Sequence, residues 1–164
     1  MQEIQAPNSI SHIDDEKTLS IFLAGSIELN SAERWQDAVL RELKGYDIAV
    51  FNPRRDDWDN SIRQTIIDTR FREQVEWELN AISAASLVVF YFDSATKSPI
   101  SLLELGLCAA KGNLIVCCPD GFWRKGNVEV ICHKYKIPMI NNLTNLISRI
   151  KLILHNANVP TIKV

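Results

Sequence analysis

Long apolar runs are missing from this sequence. The most extended, residues 87–92 and 114–118, fall far short of the roughly 20 residues that cross a bilayer, which excludes a membrane-spanning helix. Basic charge is not in excess either: 18 Lys and Arg against 20 Asp and Glu leave a formal net charge of -2. Binding to a phosphate backbone uses a basic surplus, so a nucleic-acid polymer is not an expected partner. The opening residues, MQEIQAPNSISHIDDEK, lack the basic start and apolar core of a signal peptide, which predicts a cytoplasmic protein. Cysteine is sparse. Cys108, Cys117, Cys118 and Cys132 form no CxxC pair and sit mostly in apolar segments, with His133 an isolated neighbour, so they read as reduced core thiols rather than metal ligands. There is no P-loop and no GxGxxG. The turn after the first strand, AGSIE, has one glycine, which disfavours dinucleotide binding of the Rossmann type.

What is present is enough apolar residue, 46% of 164 positions, for one globular domain and too little chain for a second. Residues 1–17 are polar with no apolar period and read as a flexible arm, leaving 18–164 as the domain. From Thr18 onward, short apolar runs alternate with longer amphipathic ones, the mark of βαβ units. Strands are expected at 19–24, 47–51, 87–92, 114–118 and 138–140. Helices are expected after a capping box at Asn30, Ser31, Ala32 and Glu33, at 68–84 with Val75, Leu79 and Ile82 on one face, at 99–111 and at 143–154, with a short helix after residue 127. Ser98 reads as a helix cap and Pro99 as the first helical residue. The run at 87–92 is apolar on nearly every residue, as in a strand buried on both faces. Together these predict an α/β fold: a doubly wound five-stranded parallel sheet, order 2-1-3-4-5, with helices on both faces.

In such a sheet, ligands bind at the carboxyl ends of the strands. That rule selects the loops 25–28, 52–58, 93–98 and 119–127. The pointed signal is Glu104, placed between Leu102, Leu103 and Leu105 in a helix that otherwise reads as core. Carboxylates are rarely buried without a reason, and Gly106 beside it, costing about 1 kcal/mol of helix propensity against alanine, suggests close packing at this turn. Glu104 is therefore a candidate nucleophile or base, against a helix-end or salt-bridged glutamate. Glu73, Glu76 and Glu78 flank Trp77 on one helix, and at least two of them read as a solvated face. Arg54 and Arg55 fit either a bidentate anion site or a surface charge network with Asp56 and Asp57. Trp123, Arg124 and Lys125 fit a ligand contact or an exposed or subunit-facing loop.

The segments IFLAGSIE, FNPRRDDW, QVEWELNAI, TKSPISLLELGLCAA and GFWRKGNVEV, taken in order over residues 19–135, resemble the nucleoside 2-deoxyribosyltransferase family, in a branch with NPRR and SPISLLELG. The resemblance implies a flavodoxin-like sheet and a cytoplasmic glycosyltransferase of nucleotide salvage acting on N-glycosidic bonds. By it, Glu104 is the nucleophile that attacks the anomeric carbon of a 2'-deoxyribonucleoside, releasing a free nucleobase and leaving a glycosyl ester that a second base resolves in ping-pong fashion. Glu78 contacts the nucleobase and assists proton transfer. Gly25 and Ser26 border the sugar, Asp57 and Trp58 close over the base, and Asn127 reaches the neighbouring subunit's site in a homo-oligomer. No metal or organic cofactor is implied. Ser98 stands where many members carry an aspartate near the sugar hydroxyls, with Asp93 a substitute from further back, and Phe22 stands where many have a tyrosine. These departures keep two alternatives: a nucleoside 5'-monophosphate N-glycosidase, in which water replaces the acceptor base, and a non-catalytic nucleotide-binding or sensing module.

Overall fold

Segments apolar on consecutive residues send alternate side chains to opposite faces of a sheet, so both faces need cover. The computed structural model describes residues 1–14, 17–28, 34–59 and 61–161, and the capping box expected at residues 30–33 lies outside them. Among the described residues, six strands, β1 (Gln2–Gln5), β2 (Ser20–Gly25), β3 (Ala49–Asn52), β4 (Leu87–Tyr91), β5 (Leu114–Cys117) and β6 (Met139–Ile140), pair in parallel in the order β1-β3-β2-β4-β5-β6. The five-stranded sheet of order 2-1-3-4-5 is thereby corrected. The added strand is β1, from the segment read as a polar arm. It lies outside β3, with Ile4 and Ala6 buried against the core.

Helices cover both faces. Trp77, Ala81 and Ile82 of α2 (Thr69–Ala84), Leu105 and Cys108 of α3 (Pro99–Cys108), and Val128 and Cys132 of α4 (Lys125–Tyr135) pack with Phe22, Phe51, Val88 and Phe90 on one side. Trp35, Val39 and Leu43 of α1 (Trp35–Leu43) and Leu146, Ile150 and Leu154 of α5 (Leu143–Asn156) pack with Ile21, Leu23, Val50 and Val89 on the other. All four cysteines are buried and free, and burial pushes Cys108 and Cys132 up to about 11. Among the described residues, no helix is long and apolar enough to cross a membrane.

Three local readings are corrected. The inward face of α2 is set by Gln74, Trp77, Ala81 and Ile82, while Leu79 is 41% exposed. Trp77 wins because its indole N–H reaches the Asn8 carbonyl (2.7 Å) while its ring lies against Phe22. Ser98 occupies the N-cap position of α3 but caps nothing with its hydroxyl, its backbone being left-handed at φ 45. At Gly106 nothing lies within 4 Å of where a Cβ would be, so close packing does not explain that glycine.

Gly25 is the glycine with a steric reason. Its φ is +139, and a Cβ there would sit 2.2 Å from the Tyr91 carbonyl oxygen of β4. This tight seam lies between β2 and β4, where the chain leaves β2 through α1 on one face and β4 through α3 on the other. Such a switch point opens a crevice at the carboxyl ends of the strands.

Candidate active site

The crevice is a cavity of ≈ 540 Å³ walled by the segments following β2, β3 and β4 and by faces of α2 and α3. Phe71, Gln74, Val75 and Glu78 line it from α2 at helical spacing. Asp68 starts that helix by accepting the Phe71 amide (3.1 Å). Ser101 and Glu104, one turn apart, line it from α3. Phe22, Pro53, Trp58 and Ile100 complete walls that are predominantly apolar.

Two carboxyl groups share this enclosure. Glu104 is 9% exposed, and no described side chain hydrogen bonds its carboxyl group. Burial pushes it up to about 8, and the nearby charge of Glu78 pushes in the same direction. Glu78 is also raised by burial, opposed by a hydrogen bond from Gln74. The Gln74 amide nitrogen donates to Glu78 Oε1 (2.8 Å) and to the Pro53 carbonyl (3.0 Å), tying α2 to the loop after β3. Two buried carboxyls that repel each other titrate as a pair. Burial therefore favours a protonated Glu104 near neutral pH, while the Gln74 hydrogen bond opposes the same rise at Glu78.

A second polar feature lies at the start of α3. The hydroxyls of Ser26, Thr96 and Ser98 form a closed triangle, with Ser26 to Thr96 at 2.8 Å, Ser26 to Ser98 at 2.6 Å and Thr96 to Ser98 at 2.8 Å. The Asp93 amide donates to Ser26 Oγ (2.8 Å), so this triangle fixes the loop after β4 against the loop after β2. Glu28 Oε1 accepts the amides of Lys97 (2.8 Å) and Ser98 (2.7 Å).

Of the residues singled out by sequence, Gly25, Trp58, Glu78, Ser98 and Glu104 line one cavity. Ser26 and Asp93 are buried away from its lining, Ser26 being 1% exposed with its hydroxyl committed to the triangle. Asp57 is exposed and held by Arg55, through Nε (3.0 Å) and Nη2 (2.9 Å), while the Arg55 guanidinium lies over Trp58. Asn127 is exposed in the first turn of α4, away from the cavity of its own chain. Arg54 is buried, its Nε and Nη1 without hydrogen-bond partners and Asp56 at 3.9 Å, which is not the surface network its sequence context allows. Glu28, Gln74 and Ser101 were not picked out from sequence. Glu28 lay inside a selected loop, whereas Gln74 and Ser101 carried no signal beyond their helical spacing from Glu78 and Glu104. Among the described residues, no group of three or more His, Cys, Asp or Glu side chains is placed to hold a metal ion.

Comparison with known proteins adds two findings. A family described as "nucleoside 2-deoxyribosyltransferase like" matches residues 18–122. A crystal structure of a conserved protein from Enterococcus faecalis V583 superposes with a TM-score of 0.60 at 16% sequence identity, covering 84% of this chain and 99% of that one. At that identity the likeness is one of fold. No curated protein matches significantly.

Proposed function

Since this chain belongs to the nucleoside 2-deoxyribosyltransferase-like family, we propose that it exchanges nucleobases on 2'-deoxyribonucleosides through an ester on Glu104. The observation that carries this reading is the presence of Glu104 and Glu78 in one apolar cavity, both raised by burial. Glycosyl exchange asks two opposite things of such a pair. The oxygen attacking the anomeric carbon must be bare, and the departing base must gain a proton as its C–N bond breaks.

The Gln74 hydrogen bond favours charge on Glu78, while burial favours a proton on Glu104. Substrate binding moves that proton towards Glu78 and the leaving nitrogen. The freed Glu104 oxygen then forms the C1'–O bond as the electron pair of the C1'–N bond passes to the protonated base. A second base attacks C1', its proton goes back to the pair, and Glu104 leaves as a carboxylate. Two displacements return the β configuration. Trp58 and Phe71 offer aromatic faces for the base.

The direct test mixes purified protein with deoxyinosine and adenine. Deoxyadenosine and hypoxanthine are expected in equal amounts, with ping-pong kinetics. Binding without products, or hydrolysis that ignores the added base, would overturn the exchange reading.

The working unit we propose is a homo-oligomer. Ile100, Leu103 and Leu107 are 60%, 69% and 63% exposed along one side of α3, and the first two also line the cavity. An apolar stripe at the mouth of a site suits a second copy of the chain, which would bring Asn127 to the neighbouring sugar. Mixing inactive Glu104→Gln and Asn127→Ala protomers should then restore activity. In a statistically mixed dimer, half the molecules carry one wild-type site, giving about a quarter of full activity. No recovery would place Asn127 outside the site.

A further inference from the structure

The loop after β3 alternates. Pro53 and Arg55 line the cavity that holds Glu104, whereas Arg54 between them does not and turns towards α1, which covers the other face of the sheet. There its Nε lies 3.9 Å from Asp56, whose two carboxylate oxygens accept from Nη1 (3.1 Å) and Nη2 (3.2 Å) of Arg34. Arg34 occupies the N-cap position of α1 and does not cap the helix with its side chain. A helix start favours an anion.

Two further observations say that this corner is built for one. Arg54 is 6% exposed, yet its Nε and Nη1 donate to nothing. Gln36, in the first turn of α1, is fully buried, and neither its amide nitrogen nor its amide oxygen has a partner. These are four of the six buried side-chain polar atoms left unpaired among the described residues, and they gather where α1 begins. Buried donors and acceptors without partners are costly, the more so when one group is a guanidinium. Between them they ask for a group with several acceptor oxygens and one donor. Hydrogenphosphate is such a group: it has oxygens for the fork of Arg54 and the N–H of Gln36, and an O–H for the Gln36 carbonyl. Sulfate, and a phosphate monoester above its second pKa of about 6, lack that O–H. The Asp56 side chain is 65% exposed and its pairing with Arg34 is of the surface kind that contributes little, so the carboxylate swings to water as the ion enters.

We propose that the corner formed by Arg54, Gln36 and Arg34 is a binding site for free inorganic phosphate, on the opposite side of the sheet from Glu104 and independent of the exchange chemistry.

Calorimetric titration of the full chain with phosphate, sulfate and methyl phosphate at about pH 8 tests it. Phosphate is expected to bind at least about tenfold more tightly than either analogue, because both leave the Gln36 carbonyl unpaired. Arg54→Met should abolish binding, and Gln36→Met should bring phosphate down to the level of sulfate. Asp56→Asn, a change at an exposed side chain, should tighten phosphate by about two- to fivefold, since a competing carboxylate is removed. No phosphate binding in wild type or in Asp56→Asn overturns the proposal. So does binding that Arg54→Met and Asp56→Asn both leave unchanged, which puts the ion elsewhere. Methyl phosphate binding as tightly as phosphate overturns the choice of the free ion in favour of an ester. Should Arg54→Met not fold, the gain in Asp56→Asn and the sulfate comparison decide. Base exchange is read by turnover, so its failure and the failure of this site are seen separately.

Discussion

Glu104→Gln is expected to lower base exchange by at least about 1,000-fold and to leave the protein more stable at neutral pH, not less. An amide cannot form the glycosyl ester, so the nucleophilic route closes. The stability change follows from proton linkage. The Glu104 carboxyl has an ordinary value of 4.5 and is raised to about 8 in the fold, first by burial and then by Glu78. Below the ordinary value the group is protonated in both folded and unfolded chains and burial costs it little. Between 4.5 and about 8 the unfolded chain gives up a proton that the folded chain keeps, so stability falls as pH rises and levels off above about 8. Glutamine does not titrate. The variant should therefore gain on wild type across that window, by no more than about 5 kcal/mol. Thermal denaturation of both proteins from roughly pH 4 to pH 9 measures it. Comparable turnover in the variant, or a stability gap that does not widen with pH, contradicts the assignment.

Glu78→Gln carries the second large effect, a loss in kcat/KM of about 100- to 10,000-fold with a change in the shape of the pH profile. In wild type the rate needs one proton on the pair. A second proton at low pH neutralises the nucleophile, and loss of the last one above about 8 removes the acid, giving a bell. With Glu78 replaced, Glu104 alone titrates. Its midpoint moves down because the neighbouring charge is gone, and the rate rises with pH to a plateau with no alkaline fall. A uniform loss with the bell intact would make Glu78 a structural residue only.

The legible parts of this molecule are those encoded in neighbouring residues. Residues 87–92 read as a doubly buried strand because nearly every side chain there is apolar, and β4 is buried throughout. Glu104 stood out because a charge among leucines has to be explained, and it lines the cavity. β1 was invisible because an edge strand pairs through its backbone and here needed only Ile4 and Ala6 to anchor it. The helical period of residues 69–84 predicts the helix but not which face turns inward. The hydrogen bond from Trp77 to Asn8 and its ring contact with Phe22 rotate that face away from Leu79.

The amino-acid order by itself determined the family, the parallel α/β architecture and the identity of the conspicuous carboxylate, since all three rest on local spacing and short motifs. Tertiary structure alone decided that Glu104 and Glu78 face one cavity, that Gln74 holds one of them, and that Glu28 lies across the amides of residues 69 and 70 positions further along the chain. The reason is physical: the proton affinity of a carboxyl group, and the charge a pocket will admit, are set by the groups that surround them in space and by how much water those groups exclude.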